Sequence, residues 1–199
     1  MYIFLQGRSG VGKSTLLTQA LAPYVGSVAG FMVQRLMESG RRVGFRAAAL
    51  EGSFLSLEAQ YHPGMDGVFI LQGKWDAAAL ESVIMRVEKQ LKNPDVKCIL
   101  LDEIGGVELA SPMFMGALER IFASKLLCLG VLKSRENLAH ATAKLKLDSK
   151  NAEMYDDLEK KILAAGEIIC VTEQNRTHIL NHLEAIVAKT FAYRNGTLL

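Results

Sequence analysis

With 199 residues, half of them apolar, the chain has the size of one domain and can bury a substantial core. A formal net charge of +2 is too small to mark a polyanion-binding protein by itself, and no apolar run reaches the roughly 18 residues that a membrane span requires. The opening MYIFLQGRSG has neither the basic start nor the long apolar stretch of a secretion signal, so the expectation is one domain over residues 1–199, cytoplasmic, with no membrane partner.

In chain order, YIFLQ (2–6) reads as a strand and is followed at once by GRSGVGKS (7–14). This octet satisfies G-x-x-x-x-G-K-[ST], the phosphate-binding loop, and a helix is expected from about Ser14 to Ala22. The residue types follow from the chemistry. Glycines let successive backbone N–H groups converge on phosphate oxygens, and the helix behind the loop points its positive end at the same anion. Lys13 brings a charge to the β and γ phosphates, and the Ser14 hydroxyl can ligate Mg²⁺. The nucleotide-binding set is therefore Gly7, Arg8, Ser9, Gly10, Val11, Gly12, Lys13, Ser14 and Thr15.

VAGFMVQ (28–34) and VGFRAAAL (43–50) flank MESGRR and predict an antiparallel hairpin turning at Gly40. Residues 51–67 read as loop, and VFIL (68–71) as a further strand. Arg35, Arg41, Arg42 and Arg46 cluster about the hairpin. They read first as a charged, solvated edge and second as a source of one transition-state arginine. No aromatic stacking series accompanies them, which argues against a nucleic-acid partner. Apolar positions 80, 83, 84, 87 and 91 predict a helix from Asp76 to about Lys92.

VKCILL (96–101) is the next strand, and it runs into Asp102 and Glu103. In phosphate-loop proteins an aspartate at the end of a second apolar strand helps the loop serine hold the metal, which gives Asp102 that role, through a coordinated water because Mg²⁺ keeps several. Glu103 can face the γ phosphate and orient and deprotonate a water. The pair favours hydrolysis over simple binding.

Ser111 before Pro112 predicts a capped helix to about Ala123. LLCLGVL (126–132) is a strand, and 134–150 is polar and poorly patterned, Arg135, Lys144 and Lys146 with Lys133 just before them making it the one candidate for a lid. A helix over 153–165, a strand IICV (168–171) and a helix over 177–191 complete the pattern. Cys98, Cys128 and Cys170 sit in apolar runs without metal or redox spacing and read as core residues of three strands. His178 and His182 are four apart, but Ile179 stands where H-E-x-x-H has glutamate, so two helix-surface histidines are expected.

Strands alternating with helices imply an α/β fold with a mostly parallel sheet covered on both faces. GRSGVGKSTL, GFMVQRLMESGRRVGF, DEIGGVEL and VTEQNR, in this order, resemble the small nucleoside-triphosphatases first described from thermophiles, also called nucleotide-kinase-related NTPases, over about residues 2–185. The resemblance implies a three-layer, RecA-like phosphate-loop fold with an added antiparallel hairpin. It also implies slow, Mg²⁺-dependent hydrolysis of ATP, GTP and other triphosphates to diphosphates, with broad base specificity. By resemblance Asn175 and Arg176 lie on the base side, although Asn175 equally suits a helix cap. The chain departs from the family pattern at Gly106, where a lysine is usual, at Arg35-Leu36-Met37, and at Thr177 after the N-R pair. Two other functions fit the same motifs. One is a kinase passing the γ phosphate to a small acceptor; the other is a nucleotide-binding switch with little turnover.

Overall fold

The near-continuous apolar runs of the sequence become neighbouring parallel strands, because only residues buried on both faces can be apolar at every position. The computed structural model describes residues 1–145 and 150–192. Its elements in order are β1 (Tyr2–Gln6), α1 (Lys13–Leu21), β2 (Val28–Glu38), β3 (Arg41–Ala49), β4 (Glu58–Gln60), β5 (Val68–Leu71), β6 (Lys74–Trp75) and α2 (Ala77–Gln90). They continue with β7 (Cys98–Ile104), α3 (Pro112–Ala123), β8 (Leu127–Leu132), α4 (Arg135–Leu145), α5 (Lys150–Ala165), β9 (Gly166–Cys170) and α6 (Arg176–Ala192). Among the described residues the strands form one sheet in the order β6-β5-β3-β2-β7-β8-β1-β9, with β4 beside β2.

Strands β2, β7, β8, β1 and β9 run parallel, while β3, β5 and β6 extend the sheet antiparallel beyond β2. The hairpin turns through Ser39 and Gly40, both at positive φ (48° and 76°), a two-residue geometry matched to the twist of the flanking strands. The mostly parallel α/β sheet with its antiparallel hairpin is the predicted architecture.

Alternation along β7 shows how the layers arise. Cys98 and Leu100 point to one face, where they meet Leu16, Leu17 and Leu21 of α1 and Leu183 and Val187 of α6. Ile99 and Leu101 point to the other, among Ile84 of α2, Phe114 and Leu118 of α3, and Tyr155, Leu158 and Ile162 of α5. Each fully buried side chain of this size contributes about 1.5–3 kcal/mol. Among the described residues no helix is long and apolar enough to cross a membrane.

The structure differs from the sequence reading in several places. Asp102 and Glu103 lie within β7 instead of after it, since the strand starts two residues later and ends three later. The 51–67 segment contains β4, which pairs with β2. Residues 135–145 form helix α4, whose only buried residue is Leu138, so its sequence carries almost no apolar period; Lys146 of the same stretch lies outside the described residues. Cys98 and Cys128 are core residues as expected, but Cys170 is exposed at the end of β9, an edge strand with one neighbour. The predicted cap at Ser111 is present, accepting from the Phe114 N–H, and Asp76 caps α2 by accepting from the Ala78 N–H.

Candidate active site

The carboxyl ends of β1, β7, β8 and β9 lie side by side, and the polar residues of the sequence motifs collect there. The loop after β1 holds Gly7, Gly10 and Gly12 at φ of 145°, 81° and 98°, backbone that residues with a Cβ avoid. At Gly7 a Cβ would also meet the Val171 carbonyl oxygen at 2.6 Å. Helix α1 starts at Lys13 with Gly12 as its N-cap and no side chain closing it, so its first N–H groups are left for an anion.

Lys13 Nζ donates to the carbonyls of Gly7 (2.8 Å) and Arg8 (2.9 Å), tying the loop across its mouth. Partial burial lowers the Lys13 pKa, opposed by Glu103 and Asp102 nearby. Arg8, Ser9 and Gly10 form the exposed rim of the loop, whereas Val11 packs inward against the core under α1. Ser14 and Thr15 occupy the first turn of α1.

Alternation puts Asp102 on the face of β7 that α1 covers. It is 4% exposed, and burial pushes its carboxyl up to about 7, against the pull of the Ser14 hydroxyl beside it. One oxygen, Oδ2, is buried with no hydrogen-bond partner among the described residues. An orphaned carboxylate oxygen beside a serine hydroxyl at a helix N-terminus suits a hard cation whose other ligands are waters and phosphate oxygens. No cluster of three or more acidic, histidine or cysteine side chains among the described residues forms an all-protein metal cage.

Glu103 lines, together with Asp102, a cavity of about 560 Å³ that begins at the loop. Its carboxylate pairs with Lys133 Nζ at 3.1 Å. Lys133 follows β8, the strand between β7 and β1, so the sheet order itself delivers an ammonium between the acids and the loop. The cavity continues past the acids beneath α4, over a floor of Val33, Phe45 and Phe69.

Other predicted residues fall in different positions. Asn175 spends its amide on its own turn: Nδ2 donates to the Cys170 carbonyl (2.9 Å), and Oδ1 accepts from the Thr172 N–H (2.8 Å). The Arg176 guanidinium lies against Gly12, with Nη2 2.9 Å from where a Cβ would be. Neither lines the cavity. Arg35 and Arg42 do, Arg35 being paired with Glu58 at 3.4 Å and Arg42 lying over the Phe45 ring at 5.1 Å. Arg41 is exposed, and Arg46 buries an unpartnered Nε. His178 is exposed and His182 meets Glu167 at 3.0 Å on the surface of α6, as expected of helix-surface histidines.

Two residues at the site were not singled out for it by their motifs. Glu108 is buried and accepts the Gly106 N–H at 2.7 Å. Lys133 reads in the sequence as a lid cation, although it directly follows an apolar strand just as Asp102 follows CILL. That shared position was the available signal.

An NTPase family model matches residues 2–184. The chain is 29% identical over 192 residues to the nucleoside-triphosphatase THEP1 of Thermotoga sp. (strain RQ2), covering 94% of this chain and 95% of that one. It is 34% identical over 128 residues to the THEP1 of Thermotoga petrophila, covering 63% and 68%. The solution structure of a human cancer-related nucleoside triphosphatase superposes with a TM-score of 0.62 at 23% identity, covering 94% and 97% of the two chains.

Proposed function

The chain belongs to the NTPase family, and on that premise we propose that the cleft binds a nucleoside triphosphate with Mg²⁺ and hydrolyses it to the diphosphate and phosphate. The observation that carries this reading is the convergence of the uncapped α1 N-terminus, the orphaned Asp102 oxygen and the Glu103 carboxylate on one cavity. Backbone N–H groups of residues 7–15 hold the phosphates, and Lys13 leaves its carbonyl partners for the β and γ oxygens. Ser14 and Asp102 would hold the Mg²⁺, which supplies charge neutralisation at the triphosphate when bound.

Glu103 orients a water and takes its proton as the water oxygen bonds to the γ phosphorus and the bond to the diphosphate oxygen breaks. Asn175 has both ends of its amide engaged by backbone, which supports broad tolerance of the base, with Arg176 as the base-side residue that remains free to stack or donate. Three cysteines that are all thiols fit the cytoplasm.

A phosphate-release assay across the common triphosphates with Mg²⁺ tests the reading. ATP and GTP should both turn over, and Lys13→Ala should fall to background. Tight nucleotide binding with no phosphate released under single-turnover conditions would instead make the chain a switch.

The depth of the cavity favours a second reading. A hydrolase needs room for a water beyond the γ phosphate, whereas this cavity runs on over Phe45 and Phe69 to an edge carrying Arg42, His140 and Lys144. A hydroxyl acceptor seated there would bond through its oxygen to the γ phosphorus, release the diphosphate and give its proton to Glu103. An acceptor panel that never raises nucleotide consumption above the rate in water removes this reading.

A further inference from the structure

Lys133 is placed with more care than a lid cation requires. Its N–H donates to the Ile104 carbonyl at 2.8 Å, which docks it on the end of β7. Its own carbonyl accepts the hydroxyl of Tyr155 at 2.7 Å, and Tyr155 is fully buried. From this fixed point the side chain passes over Gly106: a Cβ there would lie 2.7 Å from Lys133 Cε and 3.6 Å from Cδ. Beyond Gly106 the ammonium reaches Glu103 Oε2. The charge at its tip also favours the ionised forms of Asp102 and Glu108, so one lysine acts on three carboxylates.

These contacts set a steric condition. The stem of Lys133 crosses the space that any side chain at position 106 would enter, so a side chain there would displace the stem from its present path to Glu103. Without Lys133, Glu103 would face Asp102, the adjacent acid, with no cation bonded to it among the described residues.

We propose that Lys133 is the positioning residue for Glu103, holding its carboxylate at the γ-phosphate end of the cavity across the gap left by Gly106. This rests on the reading of Glu103 as the group that handles the attacking water. Lys133 acts through Glu103, and its removal affects the chemical step more than nucleotide binding. Positions 106 and 133 are alternative origins for the same ammonium: a lysine at 106 can take over only when residue 133 is shortened, leaving Glu108 Oε2, at 3.1 Å, as the nearest group to the new Cβ.

The experiment measures kcat and KM for ATP with Mg²⁺ in the parent, Lys133→Ala, Lys133→Met, Lys133→Arg, Gly106→Lys, the double variant Gly106→Lys/Lys133→Ala, and Glu103→Gln. Loss of a charge-assisted hydrogen bond predicts that Lys133→Ala and Lys133→Met lose about tenfold or more in kcat with KM nearly unchanged. Lys133→Arg should retain more activity than Lys133→Met, and the double variant should exceed Lys133→Ala. Gly106→Lys alone should fall below the parent, because two stems compete for one space.

Lys133→Met preserves the packing of the stem, so it decides the matter if Lys133→Ala is poorly folded. Parental kcat in Lys133→Met, with Glu103→Gln inactive, overturns the role of Lys133 and leaves Glu103 standing. A double variant no better than Lys133→Ala overturns the exchange between positions. Parental activity in Glu103→Gln overturns the reading of Glu103 itself.

Discussion

The guanidinium of Arg176 lies across Gly12, so close that a Cβ on Gly12 would stand 2.9 Å from Nη2 and 3.1 Å from Cζ. The first residue of α6 thus touches the N-cap of α1, and the two helices whose starts flank the loop are coupled at one point. Arg176 stands on the side of the loop away from Glu103, two strands removed from β7 by way of β1 and β8. Arg176→Ala should therefore raise KM for ATP by about tenfold, the worth of one charge-assisted hydrogen bond, and leave kcat nearly unchanged. Steady-state kinetics over a range of ATP concentrations check this; a fall in kcat at constant KM would move Arg176 to the reacting atoms.

Glu103 carries the opposite expectation. Glu103→Gln keeps the shape of the side chain and an oxygen for Lys133 but cannot accept a proton from water. Binding of ATP with Mg²⁺, followed by calorimetry, should stay close to parental while turnover falls at least about a hundredfold, the low end for a general base.

The loop and the acids were legible in the sequence because their chemistry is local. GRSGVGKS needs only its own backbone and the helix behind it, and CILLDE needs only an apolar run that gives way to acids. Lys133 was not legible as a partner of Glu103, since thirty residues separate them and only the insertion of β8 between β7 and β1 brings them together. Asn175 marks a different limit. Its residue type suits both a base contact and a turn, and the hydrogen bonds to Cys170 and Thr172 that decide its present engagement depend on the conformation of the turn after β9, which the residue types leave open. Helix α4 was missed for want of a buried stripe, as it is a cover over the cavity and contributes one core residue.

Tyr155 links the far layer to the site. Its hydroxyl donates to the Lys133 carbonyl at 2.7 Å and accepts from Gln6 Nε2 at 2.9 Å, and burial pushes its pKa up to about 12. Tyr155→Phe keeps the ring in the core and removes both bonds, leaving the longer contact of Gln6 Nε2 with the Lys133 carbonyl at 3.4 Å, a cost of about 1 kcal/mol or more. Chemical denaturation should show that loss. Because the lost bond anchors Lys133, kcat should fall in the same variant, whereas Leu183→Ala, which loses about 2–5 kcal/mol in the opposite layer, should leave kcat per folded molecule unchanged.

Glu108 supplies a pH dependence with a definite sign. Burial is the largest influence on it and raises its pKa above the ordinary 4.5, against the pull of the Gly106 N–H and of Lys133, with Glu103 adding to the rise. The folded protein therefore holds this proton more tightly than the unfolded chain does. The corresponding stability is fully present below pH 4.5 and is lost as pH rises through the folded value. Glu108→Gln keeps an oxygen for the Gly106 N–H and has no proton to lose, so it escapes that loss. Thermal unfolding of parent and variant from pH 4 upward should show the Tm difference moving in favour of Glu108→Gln as pH increases, other groups cancelling between the two proteins. Parallel curves across that range would mean that Glu108 ionises in the fold as readily as in the unfolded chain, with Lys133 and the Gly106 N–H together offsetting its burial.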